Sequence, residues 1–170
     1  MVGRVVGCTA GVLILASGLL ANDPRGPSTP EERAKAVQMV QHLENDPLSS
    51  EAKQEREWLT VWLIEVPDIH ATLCTAFYPD LLGTKKNYAN ELVMQAPYAM
   101  AVFQINHPDQ ASDENSRYMA GVDGTLNAYE AILKKKPKAR WPVLDELLGK
   151  RARGELVAFV REKVPECKNK

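Results

Sequence analysis

At 170 residues, with 45% hydrophobic and 25% charged residues, the chain suits a single globular domain. Its formal net charge of −1 gives no electrostatic basis for binding nucleic acid or an acidic membrane surface.

The chain begins Met1-Val2-Gly3-Arg4, a short positive segment, and then runs without a charge from Val5 to Leu20. Small residues (Ala16, Ser17, Gly18, Ala21) precede the polar Asn22-Asp23-Pro24. That order predicts a signal peptide over residues 1–21, cleaved after Ala21 or, alternatively, after Gly18, and a secreted or periplasmic product. The competing reading is an uncleaved membrane anchor, because the apolar run sits at the short edge of spanning length. Lipidation at Cys8 is disfavoured, because most of the apolar residues follow that cysteine instead of preceding it. Apart from the leader, no membrane association is expected.

Two cysteines lie beyond the leader, Cys74 and Cys167. An even pair in an exported chain points to one disulfide tying the tail to the middle of the domain. A loop that long is worth about 4–5 kcal/mol in the chain-entropy account. The other reading is two separate thiols.

The mature chain opens with a Pro/Gly-rich linker, residues 22–29. Thr29-Pro30-Glu31-Glu32 starts a helix, with Thr29 and Glu32 in a capping box and Pro30 in its first turn. Ala36, Val37, Val40 and Leu43 give that helix one apolar face, and Asn45-Asp46-Pro47 stops it. Ser49 or Ser50 caps a second helix that is charged early and apolar late, with Trp58 and Trp62 on one stripe with Leu59, Leu63 and Val66. Pro67 ends it. Residues 68–77 read as a short helical or turn segment. A long helix runs from Asn87 to about Ile105, and Pro97 is expected to kink it or split it near Gln95. Ser112-Asp113-Glu114 starts the clearest helix, with Met119, Val122, Leu126, Tyr129 and Ile132 at helical spacing and Pro137 as its stop. Trp141-Pro142 opens a short helix, Gly149 and Gly154 bracket a basic turn, and a last helix spans Leu156 to Val160. No segment alternates with period two between hairpin turns. The fold class is therefore all-α: an irregular bundle of six or seven antiparallel helices over residues 30–165, behind the signal peptide, with a tail at 166–170.

Leu126-Asn127-Ala128-Tyr129-Glu130-Ala131-Ile132-Leu133 with Pro137 resembles the second helix of a tetratricopeptide unit. The likeness covers residues 121–137 only. The first-helix signature is missing from Pro108 to Tyr118, no second copy appears at the family's period, and no functional residue is implied.

Chemical motifs are scarce. His42, His70 and His107 form no His-Glu-x-x-His, and Cys-x-x-Cys, Gly-x-Ser-x-Gly and phosphate-cradling loops are absent. On a helix His70 and Cys74 would share a face as two metal ligands, but further ligands are lacking and a disulfide would exclude them. No cofactor and no metal are expected. Asp123, between Gly121 and Gly124, is the most interesting carboxylate for acid–base work.

Gly121 and Gly124 within an apolar helix imply close approach of a neighbouring helix or, alternatively, a ligand against bare backbone. The candidate cavity or contact residues are Trp58, Trp62, Phe77, Tyr98, Gly121, Gly124 and Trp141. The leading expectation is an exported, non-enzymatic helical domain acting through contacts with a protein partner. The alternative is a carrier holding a small apolar ligand between helices. Third comes an enzyme of unrecognised type using Asp123 or His70.

Overall fold

The computed structural model describes residue 3 and residues 25–167. Apart from Gly3, the leader segment 1–21 lies outside the described residues. Six α-helices follow: α1 (Pro30–Asn45), α2 (Ala52–Glu65), α3 (Ala89–Asn106), α4 (Glu114–Lys135), α5 (Pro142–Ala152) and α6 (Leu156–Lys163). Short 3-10 turns supplement them, and no strand occurs among the described residues. The all-α class therefore holds. No helix among the described residues is long and apolar enough to cross a membrane.

Local chemistry accounts for most helix starts. Thr29 and Glu32 form the reciprocal capping box ahead of α1, with Pro30 in its first turn. Asp113 caps α4 by accepting from the Ser116 backbone N–H. At α2 the cap position is Glu51, and the Ser49 hydroxyl accepts from the Ala52 N–H at 3.1 Å. The entry to α3 departs further from expectation. Asn87 (φ 47°) and Tyr88 (φ 61°) are both left-handed, a conformation that costs a non-glycine residue about 1–2 kcal/mol. This corner is pinned from across the chain: the Trp141 indole N–H donates to the Asn87 carbonyl at 3.1 Å, and the Asn87 amide donates to the Arg140 carbonyl at 3.3 Å.

Within the stretch 22–29 that reads as a flexible linker, Ser28 is buried. Its N–H and hydroxyl donate to the two Asp68 carboxylate oxygens, each at 2.7 Å, and Arg33 donates to both Ser28 and Asp68. Partial burial works to raise the Asp68 pKa, but these bonds from Ser28 and Arg33 outweigh it and hold the carboxyl at about 2. The start of α1 is thereby tied to the chain leaving α2.

Residues 68–74 are not helical, and the only regular turn before Tyr78 is a 3-10 piece at Thr75–Phe77. The segment is anchored by tertiary bonds instead. The Gln104 side chain accepts from the His70 N–H (3.1 Å) and donates to the His70 carbonyl (2.9 Å). Phe77, Tyr78 and Leu81 then plug into the core.

Helix α3 runs unbroken through Pro97, so of the two expected outcomes, a kink or a split, the split does not occur. Pro97 forfeits one backbone bond, but almost every residue from Leu92 to Ala101 is buried. The helix lies between two hydrophobic clusters. Leu92, Val93, Ala96 and Met100 belong to the cluster formed with α4, α5 and α6, while Tyr98 and Ala101 belong to the cluster formed with α1 and α2. Burial on both sides outweighs the loss of a single bond.

The glycines of α4 make its seam with α3. A Cβ on Gly124 would stand 2.4 Å from the Ala99 Cβ and 2.8 Å from Glu44 Oε1; one on Gly121 would stand 2.8 Å from Met100 Cε and 3.1 Å from the Ala96 carbonyl. Neighbouring protein fills both gaps, which leaves no bare backbone there for a ligand. Thr125, fully buried beside them, donates to backbone carbonyls and meets the Tyr78 hydroxyl at 3.2 Å.

At the C-terminal end, Tyr129 receives the Trp141 N–H (2.8 Å) and donates to Asp145 (2.9 Å), fixing the turn between α4 and α5. Burial raises the Tyr129 phenol to about 12, with Asp145 adding to the effect. Gly149 lies inside α5 and does not open a turn; Gly154 (φ 73°) makes the turn into α6. Cys74 and Cys167 are joined by a disulfide spanning 93 positions.

Candidate functional site

The aromatic and glycine residues named from sequence do not converge on one cavity. Trp62 and Tyr98 are buried in the α1–α2 cluster, and Phe77 is buried in the other. Trp58 stacks on Trp62 at 5.7 Å and carries the Lys35 ammonium 4.2 Å from its ring, so its exposed side is covered by a cation. Trp141 is committed to the Asn87 corner, and Gly121 and Gly124 to the helix seam. Each large ring was needed by the core next to its own helix. Of that set, Tyr98 lines a groove between α2 and α3, and Gly124 borders a depression at Glu44.

His70 and Cys74 do not share a helix face, because residues 68–74 are not helical and Cys74 is disulfide-bonded. Among the described residues, no group of three or more His, Cys, Asp or Glu side chains is placed to hold a metal ion.

One groove, of about 630 Å³, runs between the end of α3, the start of α4 and α6, over Phe103, Met119 and Val157. At Phe103, Ala120 and Asp123 it meets a shallow depression of about 190 Å³ that ends at Glu44 and Asn127. Burial raises the Glu44 carboxyl, the Asn127 amide (3.1 Å) works against that, and Asp123 adds repulsion. Arg151 binds Asp123 at 3.1 Å, Asn127 at 2.9 Å, and also Glu130. Asp123 thus serves as a tie from α4 to α5. The charged groups here largely satisfy one another.

A second groove, of about 570 Å³, lies between α2 and α3. Val61, Met94 and Tyr98 supply its apolar surface, and Arg56, Thr60 and Glu91 its polar groups. The Thr60 hydroxyl donates to the Arg56 carbonyl and sits 2.7 Å from the Tyr98 hydroxyl, so both hydroxyls are locked against α2. Burial raises the Tyr98 phenol, which stays protonated at neutral pH. The Arg56 guanidinium is half-buried, and burial lowers its pKa. It spends Nη2 on the Pro47 carbonyl at 2.6 Å, while its Nε is buried with no acceptor among the described residues. Beside this groove α2 exposes Val61 (54%) and, one turn on, Ile64 (79%).

Arg56 was missed in the sequence because it sits in a charged run, Glu55-Arg56-Glu57. The available signal was its register: Ala52, Arg56, Leu59 and Val66 follow one helical stripe, and Arg56 is the polar member of an otherwise buried set. Glu44 carried no such mark, since its partners come from α3 and α4.

No protein-family model matches this chain, and no curated protein and no solved structure is significantly similar to it. The likeness of residues 121–137 to a tetratricopeptide helix goes no further, because residues 108–118 hold a 3-10 turn and the first turn of α4 in place of a partner helix.

Proposed function

We propose that this chain is an exported, non-enzymatic helical domain, secreted or periplasmic after removal of residues 1–21, that acts by docking another protein on the α2–α3 face. The observation that carries the docking is the pair Val61 and Ile64, large apolar side chains held in solvent beside the groove of Met94 and Tyr98. Such residues gain nothing in the free monomer, and next to a groove they mark a contact surface. The leader pattern motivates the export step, and a disulfide of this span suits an oxidising compartment. An antiparallel bundle with short connections would give the face a rigid support.

The test is affinity capture and cross-linking in the native host, comparing the wild-type chain with Ile64→Glu. A specific partner recovered with the wild type and lost with the variant, at unchanged melting temperature, supports the docking. Identical recovery with both proteins overturns it.

A further inference from the structure

The α2–α3 groove also defines what its occupant must offer. Arg56 lines this groove and the adjoining depression of about 360 Å³. A guanidinium has five N–H donors in a planar fork suited to a carboxylate. Here one bond, to Pro47, is made within the protein, and Nε is withheld from water without an acceptor. A half-buried cation in that state has lost hydration without full replacement. Its neighbours do not supply the missing anion. Glu57 pairs with Lys53 at 3.7 Å and Glu55 with His42 at 2.8 Å, and although Glu91 and Glu55 attract Arg56, neither forms an ion pair with it. Glu91 also limits the site, because it borders both depressions and would repel a run of negative charge. The groove at Arg56 carries apolar surface at Met94 and Val61, and Ile64 is exposed one turn beyond Val61.

We infer that Arg56 is the anchor for a single carboxylate side chain of the partner, one flanked by apolar residues. This rests on the docking reading and names the chemistry recognised by that same face. The expected ligand is a glutamate or aspartate between leucine-like residues, and neither a polyanion nor a free acid.

The mature, oxidised chain is titrated with acetyl-Leu-Glu-Leu-amide, with the isosteric Leu-Gln-Leu peptide and with octanoate, read by NMR shifts of α2 and α3. The glutamate peptide should bind about tenfold more tightly than the glutamine peptide, roughly one charge-assisted hydrogen bond. Arg56→Lys, which keeps the charge but loses the fork, should narrow that gap, and Lys163→Gln, on α6 and paired with Glu166, should leave it. Equal binding of the two peptides overturns the inference, and this comparison needs no variant that might misfold. Octanoate binding more tightly than the peptide also overturns it, in favour of a free acid. If Ile64→Glu abolishes partner capture while Arg56→Lys leaves partner affinity unchanged, the docking face stands and the carboxylate anchor falls. If Ile64→Glu changes nothing, the docking reading itself falls.

Discussion

The cluster around α4, α5 and α6 and the cluster between α1 and α2 share α3 but are closed in different ways. The first is tied covalently: its aromatic residues interlock around Phe77, its turns are bonded through Tyr129, and the disulfide ties its last 3-10 turn to the segment before Phe77, while Val157 stays in solvent beside the groove over Phe103 and Met119. The second has no covalent tie among the described residues. It is closed by the Ser28–Asp68–Arg33 bonds at one end and the Arg56–Pro47 bond at the other, and it leaves Val61 and Ile64 in solvent. One half is held by a covalent tie and the other by hydrogen bonds and packing alone. On the proposed docking, stability and binding would sit on different helices of a small domain.

The largest test of that division is the disulfide. Cys167→Ser, paired with Cys74→Ala, should cost about 2–5 kcal/mol, read as a lower urea midpoint. Native-state hydrogen exchange should then rise most in α4 and α6. A rise confined to α1 and α2 would break the comparison.

The α3–α4 seam comes next. Gly124→Ala drives a methyl into Ala99 and the Glu44 carboxylate, and should destabilise by about 1–3 kcal/mol despite alanine's better helix propensity. Gly149→Ala is the control: it meets only the flexible end of Arg153, and should be neutral or stabilising by up to about 1 kcal/mol. Thermal melts of both variants separate packing from propensity.

Protonation should act in opposite directions on two carboxylates. Asp68 has its pKa depressed to about 2 from an ordinary 3.8, so its contribution is present above the ordinary value and is lost as pH falls through that window. Asp68→Asn should therefore be less stable than wild type at neutral pH and converge with it near pH 2. Glu44 has its pKa raised by burial, so its carboxyl favours the fold below its ordinary 4.5 and that support is lost as pH rises. Glu44→Gln should match or exceed wild type at neutral pH and lose that advantage in acid. Melting temperature against pH checks both signs.

The smallest effect on stability belongs to the proposed docking face. Ile64→Glu should shift stability by less than about 0.5 kcal/mol, because the side chain is already in water, while removing partner capture. A large drop in melting temperature would mean that Ile64 supports the fold, and the two halves would no longer divide the labour.

Features with local causes were legible from the sequence. The Thr29–Glu32 capping box, the Asp113 cap and the stops at Pro47, Pro67 and Pro137 depend on residues within one or two turns. The apolar stripes and the small residues of α4 announced which faces pack. Long-range causes were not legible. Pro97 reads as a site of kinking or splitting because its lost bond is local, whereas the burial that keeps α3 continuous through it comes from helices on both sides. Residues 68–77 read only as a short helical or turn segment, because the course of 68–74 is set by tertiary bonds to Gln104, more than 30 positions away. Seven rings and glycines drew attention by their type, but the polar feature of the α2–α3 groove is Arg56, whose Nε lacks an acceptor only because the fold buries it.

By itself, then, the sequence determined an all-α chain, the positions of its helices and a cysteine pair free to bond, because those follow from propensity, periodicity and parity. Tertiary structure settled which side chains are buried in the core and which, like Val61 and Ile64, stay in solvent. That choice depends on which surfaces meet, and burial energy is assigned only when they do.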